Sequence, residues 1–309
     1  MRPQRIAHLS DRGAVSVTGA DAAKLLQGLI TNDIEATNNL TATGRPCAIH
    51  AGLLSPQGKI LFDFFVAIAP DGFVLDVGLD KASDLVQRLT MYKLRADVAI
   101  ADVTANYKVL ALWGKDACSS GETVGTVAFD DPRLSDMGLR ILAETRFATD
   151  IASATNGVNV LASEYHAHRI SLGVPEGGKD YDFGGAYPHE ANFDMFNGVS
   201  FTKGCYVGQE IVARMQHKTA IKKRVVKVSG SEALHAGAEM RFGEAPIGRI
   251  GSVDGKNGLA MLRLDRAAEA KDKGLALTAY GIAVTPDAAA MKHYRSSAAA
   301  QPTAPELPR

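Results

Sequence analysis

Between Cys47 and Gly78 three apolar runs follow one another with almost no chain between them: CAIHAGLLS, ILFDFFVAIA and FVLDVG, separated only by PQGK and PDG. Connections this short join antiparallel neighbours, because a parallel pair needs a crossover of about a dozen residues or more. Pro and Gly in both connections are turn formers. The segment is therefore an antiparallel meander. Before it, GAVSVTG reads as a strand and ADAAKLLQGLI as a helix with Leu25, Leu26 and Leu29 on one face. After it, DKASDLVQRLTMYKL reads as an amphipathic helix capped at Asp80 or Ser83, followed by strands DVAIADV and YKVLALW. Strands and helices alternate without the rhythm of a parallel sheet, which points to an α+β fold.

The second half is more broken. Residues 114–160 mix short strands with the loop FDDPRLSDMG, and EYHAHRISLGV reads as a helix ended by Gly173 and Pro175. The irregular PEGGKDYDFGGAYPHEANF that follows is long for a connection, and such stretches are often functional. From Lys222 onward, closely spaced strands with glycine turns suggest a small β-barrel, and SSAAAQPTAPELPR a disordered tail. Lys plus Arg and Asp plus Glu each number 34, so no net field favours nucleic acid or an anionic membrane. No apolar run reaches the ~18 residues of a membrane helix, and the N-terminus has no signal h-region. The expected setting is cytoplasmic, with the three widely spaced cysteines as free thiols.

The chemistry concentrates in SFTKGCYVGQEIVARMQHK, residues 200–218. With Gly208 opening a helix, Gln209 and Glu210 occupy its first turn, and Cys205 lies just ahead of the positive end of its dipole. A helix N-terminus and a nearby ammonium both favour thiolate over thiol, so Cys205 and Lys203 form a candidate reactive pair. Gly204 and Gly208 leave room for a turn or a ligand. The competing reading is a cysteine that fills a turn as a small hydrophobe. Cys205 is expected to alkylate faster than Cys47 or Cys118, and Lys203, read as exposed, to be dispensable for folding. His217, Lys218, Lys222, Lys223 and Arg224 form a basic flank suited to an anionic ligand or partner, or to a solvated face. His166 and His168, two apart on a helix, face different sides and do not share a metal, and no metal site is read. Walker A and dinucleotide fingerprints are absent.

KGCYVGQE, residues 203–210, resembles very closely the KGCYxGQE signature of the YgfZ branch of the folate-binding YgfZ/GcvT superfamily. LLQGLITNDI is similar to that family's first helix, LSPQGKILFD to its hairpin and YKLRADV to its helix exit. RISLGVPEG with PHEANFDMFNGVSFTKGCYVGQEIVAR is similar to the mitochondrial iron–sulfur assembly factors of the branch. The resemblance covers residues 1 to about 290.

It implies an aminomethyltransferase-like ring of three domains around a central tetrahydrofolate cavity: 1–45 with 105–218, an inserted 46–104, and a barrel at 219–290, then a disordered tail at 291–309. The implied function is support of iron–sulfur cluster assembly or repair, especially of four-iron clusters, with any cluster held only in passing. Cys205 falls on the signature cysteine, and the implied folate contacts are Asn32, Asp33, Asp63, Tyr206, Gln209 and Glu210. The implied partners are folate and iron–sulfur clients or assembly factors, with no nucleic acid or membrane, the chain itself being a monomer. Transferase relatives carry a pterin-binding Glu where this chain has Ser171, and an Asp pair where it has Phe62 and Asp63. Three readings therefore stay open: an assembly factor, a one-carbon transferase, or a folate-sensing scaffold without turnover.

Overall fold

The computed structural model describes residues 3–42, 44–114, 125–155, 157–218 and 221–299, so Cys118 and the last ten residues of the expected tail lie outside the described residues. The chain divides into two compact units: Met1–Ser55, Ile60–His168 and Asp194–Val207 form the first, and Pro56–Lys59, Arg169–Phe193 and Gly208–Arg309 the second.

In the first unit the elements run β1 (Arg5–His8), β2 (Arg12–Thr18), α1 (Ala22–Leu29), β3 (Ile49–Leu54), β4 (Ile60–Ala69), β5 (Gly72–Gly78) and α2 (Ala82–Lys93). β6 (Ala99–Asp102), β7 (Tyr107–Trp113), β8 (Thr126–Asp130), β9 (Leu139–Glu144), α3 (Ala148–Ala154) and β10 (Val158–Asn159) follow, and α4 (Ala162–Leu172) runs on into the second unit. The meander is present as β3, β4 and β5, each antiparallel to the next. Its sheet has the order β3-β4-β5-β2-β6, so β2, from the segment assigned to the first domain, shares a sheet with the 46–104 stretch. Leu26 and Leu29 of α1 and Leu85 and Leu89 of α2 bury against Val15, Leu53, Phe64 and Leu75 of that sheet. Their helical spacing brings them onto one face. The other sheet, order β10-β1-β7-β9-β8, encloses a smaller core of Ile6, Leu112, Leu139 and Ile141.

The second unit holds α5 (Gln209–Lys218), β11 (Lys223–Gly230), β12 (Glu239–Phe242), β13 (Ala245–Asp254), β14 (Asn257–Arg263), α6 (Leu264–Asp272), β15 (Leu277–Ala279), β16 (Ile282–Pro286) and α7 (Ala288–Ala299). Its strands close into a barrel, β11-β14-β13-β12-β15-β16, as the strand spacing suggested. Closure removes exposed strand edges. The expected disordered tail at 291–309 is corrected in its first part, because α7 continues to Ala299. Alanine is the best helix former, and buried Tyr294 fixes the helix to the barrel, its hydroxyl bonding Val225 O. The irregular 176–193 stretch is well packed, with Asp180, His189, Asn192 and Phe193 buried. Arg169, also buried, donates to Asp180 at 2.7 Å, to Ser252 Oγ at 2.6 Å and to Val174 O at 3.1 Å, and pairs with Glu176 at 3.0 Å. The hairpin tip at Gly58 packs on α5: a Cβ there would lie 2.8 Å from Ile211 Cβ, and φ is +77°, so glycine is required twice over. Among the described residues no helix is long and apolar enough to cross a membrane.

Candidate functional site

The loop that carries Cys205 is fastened at both ends and open in the middle. Lys203 is buried, and its ammonium donates to the carbonyls of Gln27 at 2.8 Å, Ile30 at 2.8 Å and Asn32 at 2.7 Å. These acceptors lie at and beyond the C-terminus of α1, where helical carbonyls lack partners and the dipole favours a cation. On the other side Tyr206 is buried, with the Lys203 Nζ 5.2 Å from its ring centroid, and Val207 packs against the α1–α2 core. Gly204 and Cys205 between them are exposed, and a Cβ on Gly204 would meet nothing within 4 Å. Gly208, at φ +81°, then turns the chain into α5.

This geometry corrects the expected Cys205–Lys203 pair. The Lys203 ammonium is committed to three carbonyls rather than offered to a thiolate, and it is buried rather than exposed. Burial pulls its pKa down to about 8, opposed by Asp33, so at neutral pH it is still an ammonium with every N–H bonded. Burial likewise pushes the Tyr206 hydroxyl up to about 12.

The turn after α1 is laced into the same structure. Thr31 Oγ1 donates to Gly198 O at 2.6 Å and accepts from Gly52 N at 2.8 Å. The Asn32 side-chain amide donates to His50 O and Asn197 O and accepts from Asp33 N. Asp33 accepts from Gln27 and Glu35 N, opening a short 3-10 turn over Ile34–Asn38. Asn32 and Asp33, expected at the pterin, thus brace the chain. Asp63 is half-buried on β4, opposite Gly52, and its charge reaches His50. Gln209 and Glu210 belong to the second unit, where Glu210 is exposed and pairs with Arg214 at 2.9 Å.

Beyond Asn32 lies a buried group that sequence reading missed. The His50 ring is 5.7 Å from Phe65, and the guanidiniums of Arg133, Arg140 and Arg12 lie 4.7, 5.0 and 5.9 Å from the Phe65 centroid. Arg133 holds Asp131 with two side-chain bonds, Arg12 holds Asp76 at 2.6 Å, and Arg133 and Arg140 both donate to the Tyr165 hydroxyl. Burial works to raise the Asp131 carboxyl, but Arg133 and Arg140 outweigh it and hold the pKa below its ordinary value. Burial first, then Arg133, pulls the His50 pKa down to about 4, so at neutral pH it is an uncharged imidazole with Nδ1 facing Phe196 O. That acceptor assigns the proton to Nδ1. The sequence signal was the DPR of FDDPRLSDMG, read only as a loop.

His166 and His168 go to different neighbours, Asp11 at 3.3 Å and Asp136 O at 2.8 Å, as their spacing required. Of the basic flank, Arg224 is corrected: it is buried and donates to His189 O and Asn192 Oδ1, so it offers no surface charge.

Residues 222–291 match the family model "CAF17, C-terminal beta-barrel domain", which coincides with the observed barrel. The mouse protein named "Iron-sulfur cluster assembly factor IBA57, mitochondrial" is 33% identical over 281 residues, spanning 82% of this chain and 76% of the mouse protein. The chain belongs to the IBA57 family. A Mycosarcoma maydis IBA57 homolog, also named mitochondrial, is 37% identical over 232 residues, 73% of this chain and 57% of that protein. The chain spans between about half and three-fifths of the first fungal and Dictyostelium relatives it matches. Among solved structures, the aminomethyltransferase T of the Bartonella henselae glycine cleavage system superposes with a TM-score of 0.72 over 94% of this chain and 86% of that one, at 16% identity. This bears out the aminomethyltransferase-like α+β fold. The cytoplasmic expectation is overturned, since these IBA57 relatives are named mitochondrial. Free thiols, on which the expectation also rested, suit any reducing compartment.

Proposed function

We propose that the chain is a tetrahydrofolate-binding factor for the assembly or repair of iron–sulfur clusters, four-iron clusters above all, and that it acts through the Cys205 thiol. The observation that carries this reading is the loop whose buried Lys203 and Tyr206 present an exposed cysteine between them, in a chain whose relatives are named iron–sulfur cluster assembly factors. A cysteine in that position can ligate iron, or can attack the outer sulfur of a donor protein's persulfide so that the S–S bond to the donor breaks and the donor leaves as its thiolate, with the cluster as passing cargo. Client proteins or other assembly factors are the partners, in the mitochondrial setting of the relatives. Lys203 acts here by positioning, since its ammonium is engaged elsewhere.

The deciding experiment measures four-iron enzyme activities in cells lacking the protein and complemented with wild type or Cys205→Ser. Wild type is expected to restore them and Cys205→Ser to leave them at the level of the deletion. Full restoration by Cys205→Ser would reduce the loop to a scaffold. Peptide-level alkylation at neutral pH is expected to label exposed Cys205 ahead of half-buried Cys47.

For folate, support comes from the fold, from the resemblance at the first helix and hairpin, and from half-buried Asp63 at the end of that hairpin. Calorimetry with tetrahydrofolate is expected to show binding that Asp63→Asn weakens about tenfold, the loss of one charge-assisted hydrogen bond. No heat with tetrahydrofolate or its formyl and methyl forms would remove the folate from the proposal. Phe62 is buried in β4 and Ser171 stands exposed on α4, so the acidic set of a one-carbon transferase is not assembled at these positions.

A further inference from the structure

The second unit contains a cavity of about 280 Å³ between the packed 179–186 stretch and the barrel strands β11, β13 and β14. Two of its lining residues are glycines at which backbones meet closely. β13 presents Gly248 and Gly251 to the cavity, and a Cβ on Gly251 would lie 2.6 Å from Lys179 O while one on Gly248 would lie 2.3 Å from Met261 O. Glycine at these two positions lets the covering stretch and the neighbouring strand approach β13 backbone to backbone, and the space left beside them holds roughly nine waters at about 30 Å³ each.

The charge around this space is one-sided. Asp180 is already saturated, accepting from Arg169 and Glu176 N on one oxygen and from Ser252 N on the other. Lys179 is paired with Glu176 at 2.9 Å. Lys223 and Arg249, which both line the cavity, have no hydrogen-bond or ion-pair partner for their side chains among the described residues. A further cation stands beside them. The Lys59 ammonium donates to the carbonyl of Gly185, a lining residue, at 2.7 Å and lies 3.2 Å from the Tyr187 centroid. Burial first lowers the Lys59 pKa; Glu190 opposes this, and Lys223 lowers it further, so the two ammoniums feel each other. Like charges gathered at a concave surface destabilise one another unless an anion joins them. Exposed Asp182 is the remaining carboxylate of the lining, and Glu190 acts on Lys59, which leaves Lys223 and Arg249 as the cations to be met by an anion.

We infer that this cavity is a binding site for the anionic end of a small molecule, a carboxylate or phosphate group held by Lys223 and Arg249 with Lys59 behind them. Buried Tyr181 and Met261 supply an apolar wall for a short carbon skeleton. The site lies wholly within the second unit and rests on no part of the folate or thiol reading.

Calorimetry of the full chain at low salt with inorganic phosphate, citrate and glutamate tests it, and the probe that binds tells phosphate from carboxylate chemistry. At least one probe is expected to bind with a Kd of about 1 mM or tighter. Lys223→Gln and Arg249→Gln are each expected to weaken it about fivefold to tenfold with an unchanged urea midpoint, while Lys271→Gln, at an exposed position of α6, leaves it alone. No heat with any probe up to about 10 mM overturns the inference, as does binding that both variants leave untouched. If the variants weaken only tetrahydrofolate, the cavity serves the folate and a separate anion site is refuted.

Discussion

Replacing Lys203 by methionine is expected to lower the stability of the protein by about 3 kcal/mol, read as a drop in the urea midpoint at constant slope. Methionine keeps most of the apolar stem but removes three charge-assisted bonds, to the carbonyls of Gln27, Ile30 and Asn32. The Ile30 carbonyl is then buried at a helix C-terminus without this donor and those of Gln27 and Asn32 part-buried, and leaving a buried acceptor unsatisfied costs more than making its bond gains. Lys203→Arg is expected to recover little, because a planar guanidinium cannot aim three donors at convergent oxygens. The same variants carry a second readout. With one anchor gone, the loop is free to bury or expose Cys205, and its alkylation rate should change although the cysteine itself is untouched. A Lys203→Met protein as stable as wild type would show that the clamp contributes nothing.

Stability is also expected to fall by about 3 kcal/mol as pH drops from 6.5 toward 4, with His50 the cause. Its folded pKa of about 4 lies below the unfolded value of 6.5. Within that window the unfolded chain binds a proton that the folded chain refuses, so stability is fully present above pH 6.5 and is lost as pH falls. The gap between the two values sets the magnitude. Protonation would place a cation beside Arg133 in a buried site, which is why the fold resists it. Asp131 acts in a lower window: its pKa is depressed, so its contribution is complete above the ordinary carboxylate value of 3.8 and disappears only as pH falls further. His50→Gln is expected to flatten the slope between pH 6.5 and 4 while leaving the more acidic limb. Urea midpoints measured across that range decide it, and an unchanged slope in His50→Gln would move the effect to other histidines. His8 is also lowered, by burial and by Lys108, but it is exposed and solvent screens it.

Local pattern made much of this protein readable. The meander was legible because PQGK and PDG are too short for anything but hairpins, and the barrel because glycine turns recur between short apolar runs. The eight residues of KGCYVGQE marked the loop on which the candidate function turns. α6 and the start of α7 were missed for the same local reason. LDRAAEAKD sits between strand-like runs, and the alanine-rich tail carries no pattern of its own beyond Tyr294, which is seated on β11.

Partnership between distant residues was beyond the sequence. Asn32 and His50, or Lys203 and Gln27, are joined by chain reversals that no periodicity encodes. The sequence by itself determined most of the strands and helices, α6 and α7 aside, that the fold is α+β with a terminal barrel, and that one cysteine stands in a glycine-flanked turn. Only the tertiary structure decided that Lys203 points inward to cap α1 rather than outward to a thiol, and that His50 stays neutral, buried within reach of Arg133. Propensity and hydrophobic period act over a few residues, whereas burial and the pairing of charges depend on what the folded chain brings into contact.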